Sequence, residues 1–341
     1  MALLFIDGFD HSGTTASIHA TKYASSTSPT LVSSPVKTGT GAVQFTGGGN
    51  LVSKTLAASG GFVVGVATRL GTTLPSLDCL DVRESATVHL ALAGDGAGHL
   101  TVKRGATVIA TGTTVLAVGT WYYLEFKGVI HATAGSYEVR IDGVTEAALT
   151  ASGVNTRNGG TTGQWNTIVL LGGCSGGNAQ FFDDLYVCDL SATAPNDFLG
   201  LCRVETLLPQ TDAVAAGSNA GLTCSTGTDH GALVDENPPN TTDYNGSPAV
   251  GLKDTYNYPS LALSGSIVGV QTNLYLNKSD ATARQVCAVV RAGGVDYDGA
   301  TIAPTTSFAY YSEVRAINPN TGLGWTTADI TALQAGMKVT A

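Results

Sequence analysis

GTWYYLEFKGVIHATAGSYEVRIDGV, residues 119–144, is the stretch on which the fold turns. Its second half alternates. Tyr137, Val139 and Ile141 fall on one side, and Glu138, Arg140 and Asp142 on the other. That two-residue period marks a strand with one buried face, and the closing Asp142-Gly143 pair is a hairpin-turn signal. Its first half is a Trp-containing strand. Outward from it the pattern repeats: GAVQFTG (41–47), GGFVVGVATRL (60–70), NTIVLLGG (166–173) and QFFDDLYVCDL (180–190) read as strands bounded by Gly. Residues 86–112 read as three strands joined by the turns GDGAG and RGA. Short strands about ten residues apart, without helical periodicity, predict an all-β, two-sheet jelly-roll sandwich over residues 1–195.

Composition agrees. Charged residues make up 13% of the 341-residue chain, Gly supplies 43 positions, and hydrophobic residues reach 43%. Such a chain has ample core material and favours strands and tight turns over long helices. A net charge of -9, from 17 basic and 26 acidic residues with no basic cluster, opposes a nucleic-acid partner. The longest apolar runs, such as FVVGVA (62–67), fall far short of the about 18–20 residues that cross a bilayer, so no membrane insertion is expected. MALLFIDGFD lacks a basic n-region and a cleavage site, which predicts a first strand ending near Asp7 and folding in a cytosol. The six cysteines form no CxxC pair and are expected to be free thiols.

From about residue 196 the strand pattern thins. Residues 196–249, with VDENPPNTTDYNGSP (234–248), predict an extended connector packed against something. Residues 250–341 predict a small β-rich C-terminal domain, with strands in SIVGVQTNLYLNKS (266–279), RQVCAVVRAGGVDYDG (284–299) and FAYYSEVRAI (308–317). Its tail, GWTTADITALQAGMKVTA (324–341), predicts one short helix, capped by Thr326 or Thr327, with Ile330, Leu333 and Met337 on one face and Gly336 as its stop.

GTWYYLEFKG, GSYEVRIDGV and FFDDLYVCDL together resemble the concanavalin A-like, laminin-G-type jelly-roll family, over roughly residues 1–195. PNDFLGLCRVETLLPQTDA (195–213), DHGALVDENPPNTTDY (229–244) and WTTADITALQAGMKVT (325–340) resemble a recurring type of tailed-bacteriophage virion protein, over nearly the whole chain. The second resemblance implies a head- or tail-associated structural or decoration protein. Its partners would be copies of itself and other virion proteins, its place the virion, and its form a homo-oligomer.

Chemistry is sparsely signalled. Asp183 and Asp184 open the last jelly-roll strand, where carboxylates cap turns; a calcium ion, with Asp95 as a further ligand, is the alternative. Related jelly-roll glycosidases carry a Glu-x-Asp-x-x-Glu strand, and DDLYVCD does not match it. His89, His99 and His131 fall on neighbouring strands, without metal-ligand spacing. GGCSGG (172–177) and TGGGN (46–50) read as turns, not as a nucleophile or phosphate loop. The expectation is therefore no catalytic residue, no cofactor, no metal and no enzyme. The alternative function is an adhesin module for host-surface glycans, in which Trp165 and Tyr122 would offer rings to sugar faces while Trp121 stays in the core.

Overall fold

The computed structural model describes residues 2–13, 16–72, 74–160, 162–174, 178–191, 197–213, 222–247, 249–261 and 265–341. The chain divides into two units, Met1–Glu205 and Thr206–Ala341.

In the first unit the strands are β1 (Leu3–Asp7), β2 (Ser25–Thr27), β3 (Thr30–Val32), β4 (Ala42–Phe45), β5 (Leu51–Ser59), β6 (Gly61–Leu70), β7 (Asp78–Glu84) and β8 (Thr87–Gly94). They continue with β9 (His99–Arg104), β10 (Thr107–Val115), β11 (Trp121–Val129), β12 (Gly135–Ile141), β13 (Val144–Val154), β14 (Trp165–Leu171) and β15 (Gln180–Asp189). A short helix, α1 (Ala16–Ala20), follows β1. Two antiparallel sheets form the predicted jelly-roll sandwich. One runs β13-β12-β11-β6-β15-β4-β3, with β1 also on β15; the other runs β10-β9-β8-β7-β14-β5-β2.

The hairpin read from sequence forms as expected. β12 alternates buried and half-buried, placing Tyr137, Val139 and Ile141 in the core. Asp142 and Gly143 take φ of 51° and 79°, the left-handed pair that a two-residue hairpin of matching twist requires. On β11 the even positions Leu124 and Phe126 join the core, so Tyr123, Glu125 and Lys127 face the other side of the sheet.

The second unit holds β16 (Thr211–Asp212), β17 (Thr223–Cys224), β18 (Asn245–Gly246), β19 (Lys253–Asn257), β20 (Val270–Leu276), β21 (Val286–Ala292), β22 (Val295–Asp298) and β23 (Ala309–Arg315). A helix, α2 (Thr327–Thr331), and a last strand, β24 (Gln334–Val339), complete it. β16-β19-β24-β21-β22 form a five-stranded sheet, with β17-β18 and β20-β23 as separate pairs. Val290, Trp325, Ile330, Leu333 and Ala335 make a small core.

Two boundaries differ from the sequence reading. The connector 196–249 is not one piece: residues 197–205 belong to the first unit, and from Thr206 the chain is part of the second, where Thr211–Asp212 pairs with β19. Pro195 and Asn196 lie outside the described residues. The C-terminal helix is also shorter than predicted. Thr326 caps it in a capping box with Asp329, but it ends at Thr331, and Gly336 and Met337 lie in β24 between β19 and β21. Gly336 there approaches the Asp254 carbonyl so closely that a Cβ would sit 2.0 Å from it.

Candidate functional site

Two places in the first unit bury clusters of polar side chains.

The first is the outward face of the eight-stranded sheet. Tyr123, Glu125 and Tyr186 on this face are buried, because residues 197–205 run across it. Glu125 Oε1 accepts from the Tyr186 hydroxyl at 2.5 Å and from the Gly200 amide at 2.8 Å. The Leu199 amide donates to Tyr186 at 3.2 Å. Asp197 takes the Lys127 ammonium at 2.8 Å, and Phe198 lies 4.0 Å beneath the Arg140 guanidinium and 4.7 Å from Lys127. Gly65 makes this possible: a Cβ there would stand 2.0 Å from the Tyr186 ring. Burial and the neighbouring Glu125 carboxylate push the Tyr186 hydroxyl far above its ordinary range, so it stays a donor.

Asp183 and Asp184 belong to the rim of this face. They sit at a bulge in β15, with Asp184 at φ 51°, a left-handed value that Asp tolerates better than most residues. Asp183 accepts from the amides of Lys37 (2.8 Å), Thr38 (3.2 Å) and Asp184 (2.8 Å). Asp184 accepts from the Val204 amide at 2.7 Å and the Thr38 hydroxyl at 2.8 Å. The pair therefore ties down two segments, 37–38 and 204. Burial, and then the adjacent Asp184, raise the Asp183 carboxyl to about 8. Asp95, read as a partner for calcium, is instead taken up by the His99 ring at 2.7 Å and the Ala97 amide at 2.7 Å.

The second place is the end of β1. The strand buries Leu3, Phe5 and Asp7 in phase, so Asp7 points where a third apolar side chain would go. Four side chains close on it. The His19 Nε2 lies at 3.1 Å, the Tyr23 hydroxyl at 2.7 Å, the Lys22 ammonium at 3.3 Å and the His11 Nδ1 at 3.6 Å. All five residues are buried. α1 places His19, and the turn after it brings Lys22 and Tyr23 back over β1. Desolvation alone would raise the Asp7 carboxyl, yet the nearby Lys22 and imidazoles hold it well below the usual range. Burial, helped by the Lys22 charge, pushes His11 well below its ordinary value, which leaves the ring neutral.

The other histidines stay apart. His89 meets Glu84 at 3.3 Å, His131 Nδ1 accepts the Ala134 amide at 2.8 Å, and His230 meets Asp254 at 2.7 Å. Among the described residues, Asp7, His11 and His19 are the one group whose His, Cys or carboxylate donors converge within 4.8 Å. Sequence reasoning missed this cluster. The available signal was Asp7 itself, in phase with Leu3 and Phe5.

The proposed glycan residues are not offered to a ligand. Trp165 is 0% exposed: its ring meets Phe62 edge-on at 6.3 Å and its indole N–H donates to the Gly61 carbonyl at 2.8 Å. β14 lies inside its sheet, and position 165 faces the core. Tyr122 packs half-buried against the core and accepts the Ala117 amide at 3.0 Å. Trp121, expected in the core, is the half-exposed tryptophan of the unit. Cys174 of GGCSGG is buried; residues 175–177 lie outside the described residues. None of the six cysteines forms a disulfide.

No family model matches the chain, and no curated protein matches it. Solved structures do. A cellulose induced protein, Cip1, is 16% identical over 54% of this chain and 90% of its own, at a TM-score of 0.37. The alginate lyase Aly36B is 10% identical over 55% of this chain and 97% of its own, at 0.40. A sialidase is 15% identical over 55% of this chain and 19% of its own, also at 0.40. These are likenesses of fold over about half the chain. They stand against one expectation, that the chain is no enzyme: alginate lyases and sialidases are among these similar structures.

Proposed function

We propose that the chain is a structural component of a bacteriophage virion, head- or tail-associated, that works through contacts with copies of itself and with other virion proteins. The observation that carries this reading is the covered sheet face. The broad outward surface of the eight-stranded sheet is occupied by the chain's own residues 197–205, which fix Glu125, Tyr186 and Asp184 through backbone amides. The terminal strands β10 and β13 carry Val108, Val115 and Val144 at 52%, 59% and 71% exposure, apolar side chains suited to a contact surface. Charged residues at 13% suit large polar interfaces in a symmetric assembly. Light scattering on the purified chain tests this: association that weakens in a Val115→Asp/Val144→Asp double variant supports it, and a monomer at all concentrations counts against it.

The glycan-binding alternative keeps one supporting feature, now in the second unit. Tyr275 and Phe308 stack at 5.4 Å and 22°, half-buried, on the β20–β23 pair. Glycan-array binding lost in Tyr275→Ala would favour it over assembly.

A further inference from the structure

We propose that Asp7, His11 and His19 form a binding site for a divalent transition-metal ion of zinc's class at the inner end of β1. The proposal is independent of the assembly reading and rests on how three donors converge.

Zinc bound about 2.0–2.1 Å from each ligand in a tetrahedron sets donor-to-donor edges of roughly 3.4 Å. The carboxylate–imidazole distances are 3.1 Å from Asp7 Oδ2 to His19 Nε2 and 3.6 Å from Asp7 Oδ1 to His11 Nδ1, one on either side of that value and one to each carboxylate oxygen. All three donor atoms lie within 4.8 Å of one another, and the imidazoles stand 5.5 Å apart by centroid at 44°. Two imidazole nitrogens with one carboxylate suit zinc and its neighbours; calcium and magnesium take mostly oxygen.

The surroundings are those of a supported site. The Tyr23 hydroxyl and the Phe9 amide both donate to the Asp7 carboxylate, at 2.7 and 2.9 Å, and so fix its plane. Phe9 and Tyr23 hold the His19 ring between them, at centroid distances of 5.3 and 5.2 Å. Such outer contacts orient ligands and protect a site from water. None of the six cysteines joins the group.

Lys22 sets the site's affinity. Its ammonium lies 3.3 Å from Asp7 Oδ1, and it also reaches the Ile6 carbonyl at 3.5 Å. Metal and ammonium therefore compete for one carboxylate. A dication that takes Asp7 leaves Lys22 on Ile6 and meets its repulsion. Removing that charge must tighten binding.

The experiment uses the full chain, stripped with a chelator and titrated with Zn2+ alone. One ion per chain is expected, with a zinc-edge X-ray absorption spectrum showing imidazole and an N/O shell at about 2.0–2.1 Å. Lys22→Met is expected to bind at least about tenfold more tightly, and His19→Gln on the order of 100-fold more weakly, since a ligand is lost. If His19→Gln fails to fold, the wild-type absorption spectrum and the Lys22→Met titration decide. A folded wild-type chain that takes up no zinc, a shell with sulfur at about 2.3 Å, or an affinity unchanged in Lys22→Met would each overturn the proposal.

Discussion

β1 and β15 are paired strands, and each carries buried aspartate, but their carboxylates live under opposite rules. Asp7 stands opposite Leu185, one position from Asp184. Around Asp7 are an ammonium, two imidazoles and a phenol. Around Asp183 are three backbone amides and a second carboxylate. The first stays ionised well below the usual range, and the second is lifted to about 8. Equal burial thus gives opposite protonation. Side-chain cations can offset the cost of taking a carboxylate out of water; amides next to a like charge do not.

Removing each carboxylate tests the contrast. Asp7→Asn leaves the Lys22 ammonium buried without its partner, and a loss of about 3–5 kcal/mol in denaturant unfolding is expected. A loss below about 1 kcal/mol, the worth of an exposed ion pair, would show the cluster is not acting as a buried charge set. Asp183→Asn keeps an acceptor for the Lys37 and Thr38 amides and is uncharged like the protonated carboxyl it replaces, so a change of about 1 kcal/mol or less is expected at neutral pH.

The pH dependence separates them by sign. Asp183 binds its proton more tightly folded than unfolded, so its contribution to stability is full below about pH 4 and is lost as pH rises toward 8. Asp10, lifted to about 6 by burial, acts in the same direction. Asp7 acts the other way: its contribution is present above about pH 4 and is lost as acid protonates it. Melting temperature followed from pH 5 to 9 is expected to fall less steeply in Asp183→Asn than in wild type. An unchanged slope would assign the decline to other groups.

Glu125 is a third case, a buried carboxylate held by the covering segment. Phe198→Ala removes the ring under Arg140 and Lys127, and a loss of about 0.5–1 kcal/mol is expected. Hydrogen exchange at the Leu199 and Gly200 amides should quicken in that variant. Unchanged protection would mean that the hydrogen bonds to Tyr186 and Glu125 hold the segment without the ring.

The sandwich was legible because its signals are local. Alternation in residues 137–141 and the Asp142-Gly143 turn need no distant partner to be read. β24 was not legible, since Ile330, Leu333 and Met337 recur at helical spacing while pairing with β19 and β21 draws residues 334–339 into a sheet. Trp165 was misplaced for a related reason: a Gly-rich neighbourhood suggested exposure, and only the sheet order puts its ring between the layers. The Asp7 cluster joins residues 7, 11, 19, 22 and 23 through a chain reversal that no spacing rule encodes. The covering of the outer face depends on residues 197–205 meeting a surface laid down by strands more than ten positions earlier in the chain.

The proposed assembly role is tested most directly by mass spectrometry of purified phage particles, with copy number. The account predicts this chain in the particle, at a copy number that is a multiple of a head or tail symmetry. A chain abundant in the lysate and absent from the particles would contradict it.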